Sequence, residues 1–134
     1  MNAETHETMP VRSSDDVVRV RRAVRTHAVD VGFSLVDQTK IVTAASEIAR
    51  NTLDYGGGGS LRIEVVRHGV RRGLKLVFAD QGPGIPDVER ALTDGFSTGR
   101  GLGLGLSGAK RLSNEFDIKS APGQGTIVTL VRWK

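Results

Sequence analysis

The 134-residue sequence contains no cysteine. That excludes disulfides and thiolate metal sites, and it fits a cytoplasmic chain. Three histidines, His6, His27 and His68, stand far apart and show no metal-ligand spacing. Aromatics are scarce. The four Phe, one Tyr and one Trp are not interleaved with the basic clusters RVRRAVR (19–25) and RHGVRR (67–72). A base-stacking platform, and with it a nucleic-acid partner, is not expected. The formal net charge of +4 still admits an anionic nucleotide or an acidic protein surface. No run of about 18 apolar residues occurs, so neither a membrane span nor a membrane partner is expected. The opening MNAETHETMP is polar and lacks a signal-peptide core. Residues 1–8 are expected to be disordered, and residues 1–134 to form one domain.

Glycine is abundant. The stretch TGRGLGLGLSGAKR (98–111) holds Gly99, Gly101, Gly103, Gly105 and Gly108, although glycine costs roughly 1 kcal/mol in a helix interior relative to alanine. A dinucleotide-binding G-x-G-x-x-G is matched by Gly103, Gly105 and Gly108, but the polar TDGFSTGR precedes it where a strand is required. A Walker P-loop fails, because Arg111 rather than Ser or Thr follows Lys110. What fits is a lid ending at a helix N-terminus. Its glycines let backbone N–H groups approach an anion, and Leu102, Leu104 and Leu106 cover the site. A loose surface loop is the alternative.

Around this stretch the pattern reads β-α-α-β-β-loop-α-β-β. A short strand is expected at 9–13 (MPVRS), followed by a helix capped by Ser14. That helix has an inward stripe of Val17, Val20, Val24, Ala28 and Val31, and Gly32 ends it. A second helix starts near Asp37, with Ile41, Ala44, Ala45, Ile48 and Thr52 on one face, and stops at the glycines 56–59. Alternation at 60–80 predicts a hairpin turning near Gly69–Gly73. Leu106, Ala109, Leu112 and Phe116 mark a third helix, and FDIKS and TIVTLVRW close the chain as strands. The expected fold is α+β, a two-layer sandwich with one mixed, mostly antiparallel sheet under three helices.

Two further segments carry chemistry. In ADQGPGIPD (79–87), Asp80 ends an apolar strand and Gly82 and Gly84 turn the backbone tightly. A carboxylate there can accept from an exocyclic amine such as that of adenine; a capped turn is the plain alternative. In SEIARN (46–51), Glu47 and Asn51 are one helical turn apart, about 40° around the axis. A carboxylate so placed can act as general base and an amide oxygen can ligate a hard cation, unless the pair is only a solvated flank.

Together these segments resemble the Bergerat, or GHKL, ATP-binding family of gyrase, the Hsp90 chaperone, histidine kinases and MutL. Its motifs stand here in order: Glu47 to Asn51, Asp80-Gln-Gly-Pro-Gly84, Gly101-Leu-Gly-Leu-Gly105, and Gly123-Gln-Gly125-Thr126. The resemblance implies ATP and Mg2+ as cofactors, with Asn51 as magnesium ligand and Asp80 reading adenine. It implies further nucleotide contacts from Gly82, Gly84, Ile85, Thr98, Gly101, Leu102, Gly103, Leu104, Gly105 and Thr126.

Within the family the chain is similar to the small bacterial serine kinases that regulate sigma factors, and most to the switch kinases of the stressosome. Only 13 residues precede the first expected helix, which leaves no phosphoacceptor helical pair of the histidine-kinase kind. Asp54 and Tyr55 stand where many direct anti-sigma kinases carry a His. In FSTGR, Gly99 replaces a lid lysine, which makes Arg100 the candidate cation for the γ-phosphate. The implied activity is a serine/threonine kinase with Glu47 as base. The implied partners are a STAS-domain protein and, after release, a protein serine phosphatase. A kinase that holds a sigma factor directly, or a nucleotide-binding interaction module without transfer, are the alternatives.

Overall fold

The computed structural model describes residues 2–85, 87–92 and 105–134. Five strands, β1 (Asn2–Val11), β2 (Gly59–His68), β3 (Arg71–Asp80), β4 (Glu115–Ser120) and β5 (Thr126–Trp133), form one sheet in the order β1-β2-β3-β5-β4. Every pairing is antiparallel, so the sheet is not mixed. Helices α1 (Ser14–Val31) and α2 (Leu35–Asp54) cover one face, with a single turn α3 (Val88–Ala91) and α4 (Gly105–Arg111).

Alternation decides which face is covered. Leu61, Ile63 and Val65 on β2, and Leu74, Leu76 and Phe78 on β3, point toward the helices and are buried. Each such side chain taken out of water contributes roughly 1.5–3 kcal/mol. Against them lie Val20, Val24 and Ala28 of α1 and Ile41, Ala44, Ala45 and Ile48 of α2, all fully buried. The alanines let α2 pack closely against its neighbours.

The helix ends are tied by side chains. Ser13, not Ser14, caps α1, accepting from the Asp16 N–H at 3.2 Å. The Asp16 carboxylate in turn accepts from the Arg12 N–H at 2.9 Å and pairs with Arg19 at 2.8 Å. The Arg12 bond above all holds its pKa below the ordinary value. Gly32 ends α1 in the left-handed region (φ 97°), as its sequence position predicts. Ser34 caps α2, which begins two residues before the expected Asp37. Asp37 pairs with Arg132 of β5 at 2.7 Å, and Arg132 also donates to the Leu112 carbonyl at 2.8 Å. One guanidinium thus ties the start of α2 and the end of α4 to the last strand.

Two further expectations are corrected. Residues 2–8, expected to be disordered, belong to β1, which pairs with β2 along its length and is tied to α1 by a 2.9 Å contact between Glu7 and His27. The N-terminus can be polar because β1 is an edge strand, held by backbone pairing to β2 alone. Phe116 lies on β4, not on the third helix: α4 ends at Arg111, and the Asn114 N–H already bonds the Val131 carbonyl.

Candidate functional site

Strand register gathers the site at one end of the sheet. Val11, Gly59, Asp80, Thr126 and Ser120 are successive cross-strand partners, a single row running across all five strands. Asp80, Thr126 and Ser120 share the helix-covered face: Asp80 and Thr126 are two residues from the buried Phe78 and Val128, and Ser120 is two residues from Ile118, which packs half-buried against the core.

Asp80 is held by the turn at its strand end and by a glycine packed on it. Its Oδ1 accepts the Gly82 N–H at 2.8 Å, an Asx-type turn that holds the side chain as the strand ends. Gly56, just past α2, lies directly on the Asp80 carboxylate: a Cβ there would fall on the Asp80 Cγ. Gly82 in turn packs on Gly56, where an added Cβ would come within 2.7 Å of the Gly56 Cα. The glycine run 56–59 is therefore more than a helix stop, because it lets the end of α2 descend onto the aspartate.

The loop after Asp80 is laced to the β4–β5 turn. The Gly123 N–H donates to the Pro83 carbonyl at 2.7 Å, and the Ile85 N–H donates to Ser120 Oγ at 2.7 Å. Thr126 Oγ1 lies 2.8 Å from the same Ser120 oxygen. Gly84 takes a left-handed conformation (φ 80°), which turns Ile85 toward this lacing.

On α2, Glu47 and Asn51 are half-buried, one turn apart, and flanked by the fully buried Ile48 and Ala49. Asn51 borders the first residue of α4: a Cβ on Gly105 would sit 3.9 Å from the Asn51 amide nitrogen. The structure thus brings the α2 amide to the end of the glycine-rich stretch, and Asp80, Thr126, Gly82, Gly84 and Ile85 together at the row's end. Thr98, Arg100, Gly101, Leu102, Gly103 and Leu104 lie outside the described residues. Sequence reading passed over Gly56 and Ser120. Gly56 was visible only as part of a helix terminator, and Ser120 only as a strand end before a turn.

Among the described residues no group of three or more His, Cys, Asp or Glu could hold a metal by itself. An amide oxygen with few acidic neighbours suits Mg2+, which keeps waters and is shared with substrate phosphates rather than caged by protein.

A helix pair over one face of an antiparallel sheet, with a strand-end aspartate in a glycine loop and a Glu–Asn pair on the covering helix, is the two-layer arrangement of an ATPase domain, and the family comparison agrees. The family model "Histidine kinase-, DNA gyrase B-, and HSP90-like ATPase" matches residues 36–134, and the chain belongs to this family. It is 48% identical over 118 residues to the serine/threonine-protein kinase RsbT of Bacillus subtilis, covering 88% of this chain and 89% of that protein. It is 25% identical over 117 residues to an anti-sigma F factor of Thermoanaerobacter, covering 84% and 82%. Among solved structures, the RsbU and RsbW domains of a Mycobacterium tuberculosis protein align with a TM-score of 0.65 at 20% identity, over 97% of this chain and 32% of that one. The mycobacterial sensor histidine kinase MprB aligns at 0.56 and 20% identity, over 96% and 97%. At that identity both speak for the fold.

Proposed function

We propose that this chain is an ATP-dependent protein serine/threonine kinase that phosphorylates a small STAS-domain regulator and works by partner switching. The observation that carries the reading is the 48% identity to a serine/threonine kinase across nearly the whole of both chains. Asp80 and Thr126 paired at one strand end, and Asn51 beside Gly105 at the start of α4, support it.

Each residue has a separate task. Asp80 accepts from the adenine amine, and Thr126 lies beside it. Asn51 offers its amide oxygen to Mg2+, whose chemistry when bound is to neutralise charge on the phosphate oxygens. The glycine stretch brings backbone N–H groups to the phosphates, with Arg100 as the added cation. A serine hydroxyl is a poor nucleophile at neutral pH. Glu47, one turn before Asn51, takes its proton as the serine oxygen bonds to the γ-phosphorus and the bond to the β–γ bridging oxygen breaks, releasing ADP.

The released kinase then engages a protein serine phosphatase of the same pathway, in a stressosome-type circuit in the cytoplasm. No described helix is long and apolar enough to cross a membrane. Similarity to proteins named anti-sigma F factor favours a second reading, direct capture of a sigma factor, but at 25% identity against 48% it is the weaker one.

The test is labelled ATP with candidate STAS proteins, followed by acid treatment and residue mapping. Acid-stable label on a serine or threonine of the partner is expected. Acid-labile label would mean histidine or aspartate chemistry. Tight ATP binding with no transfer to any partner would mean an interaction module.

A further inference from the structure

Ser120 ends β4 and belongs to none of the motifs above, yet its one hydroxyl makes three contacts. The Ile85 N–H donates to Oγ at 2.7 Å, the Gly125 carbonyl oxygen lies at 3.0 Å, and Thr126 Oγ1 lies at 2.8 Å. A serine hydroxyl has one proton and two acceptor positions. The Gly125 carbonyl carries no proton, so that contact is a hydrogen bond only when the Ser120 proton points at it. The Ile85 N–H fills one acceptor position. Only the second acceptor position remains for Thr126, so Thr126 must donate. Its proton is committed to Ser120, and toward anything else it has only lone pairs to offer.

Thr126 is the cross-strand partner of Asp80. Side chains of such a pair share a face with Cβ atoms about 4.5–5.5 Å apart. A carboxylate is also an acceptor only. Among the described residues, this cross-strand pair therefore presents two acceptors side by side. We infer that Ser120 is a specificity-determining positioning residue: by taking the Thr126 proton it sets the polarity of the site. The pocket then takes a base edge carrying an amino group and turns away one carrying an oxo group in the same place. This inference rests on the nucleotide-binding reading above and adds the device that makes it selective.

The experiment is calorimetric binding of ATP and of inosine triphosphate, in which an oxo group replaces the 6-amino group, to the full chain. In the wild type ATP is preferred. In Ser120→Ala the Thr126 proton is free to turn toward an oxo group, and the preference is expected to fall by roughly tenfold, the weight of one hydrogen bond to such a group. Ser120→Thr keeps the hydroxyl and restores the preference. A purely structural serine would weaken both nucleotides by the same factor and leave their ratio unchanged, which would overturn the inference. If Ser120→Ala does not fold, Thr126→Val reads the same device from the other side: ATP affinity falls while that of inosine triphosphate does not, and equal losses overturn it. A wild type that binds both nucleotides equally refutes this inference alone. A wild type that binds neither refutes the nucleotide reading and this inference with it.

Discussion

Replacing Gly56 by alanine tests whether the end of α2 sets the position of Asp80. Gly56 is not among the glycines with positive φ, so an alanine meets no conformational penalty there. The obstacle is space: the new methyl would clash with the Asp80 carboxylate, and Gly82 already packs on the Gly56 backbone. The cheapest relief is rotation of the Asp80 side chain away from its Asx turn. Losing a hydrogen bond from a charged acceptor costs about 1.5–3 kcal/mol, so ATP affinity is expected to fall roughly 10- to 150-fold. Overpacking adds a stability loss of about 1–3 kcal/mol. Calorimetry with ATP reads the first effect, and thermal unfolding without nucleotide reads the second. A folded Gly56→Ala protein with unchanged ATP affinity would refute the argument that this glycine positions the aspartate.

Asp80→Asn offers a donor where an acceptor is required, and ATP affinity is expected to drop roughly tenfold or more, measured by calorimetry. Asn51→Ala is expected to abolish the magnesium dependence of ATP binding, read as equal affinities with and without Mg2+; a retained dependence would place the metal elsewhere. Arg132→Ala leaves Asp37 and the Leu112 carbonyl without their guanidinium, and a loss of about 2 kcal/mol is expected in denaturant unfolding. The hydrogen bond from Arg132 holds the Asp37 pKa below its ordinary 3.8. A depressed carboxyl stabilises the fold above the unfolded-state value, and that contribution is lost as pH falls through the folded-state value. The stability gap between wild type and Asp37→Asn is therefore expected to be full near neutral pH and to close in acid below 3.8. A gap unchanged by acid would contradict the pairing.

The parts of this fold written in local pattern were legible. The valine stripe of α1 and the alternation of β2 and β3 each describe one element facing one core, and a single window of sequence carries that. Only the end of β1 was legible, as the short strand expected at 9–13; its earlier part was not, because an edge strand is held by backbone hydrogen bonds and its side chains need not be apolar. Phe116 misled because four residues after Leu112 is a helical spacing that here runs across a helix end into a strand. The site divides in the same way. Asp80, Asn51 and Glu47 stand in short patterns, and the roles proposed for them rest on residue type and spacing. Gly56 and Ser120 act through contacts with residues 24 and 6 positions away, set by helix descent and strand register. Their roles emerge only when the sheet is assembled.

The proposed reaction moves a phosphoryl group to a protein hydroxyl with Glu47 as the base. The most direct measurement is single-turnover transfer from saturating Mg-ATP to a STAS-domain partner, with the wild type and Glu47→Gln compared at equal nucleotide occupancy. Glu47→Gln is expected to bind ATP within a few-fold of wild type and to transfer more slowly by roughly 10²–10⁴. Transfer by Glu47→Gln at the wild-type rate would contradict it.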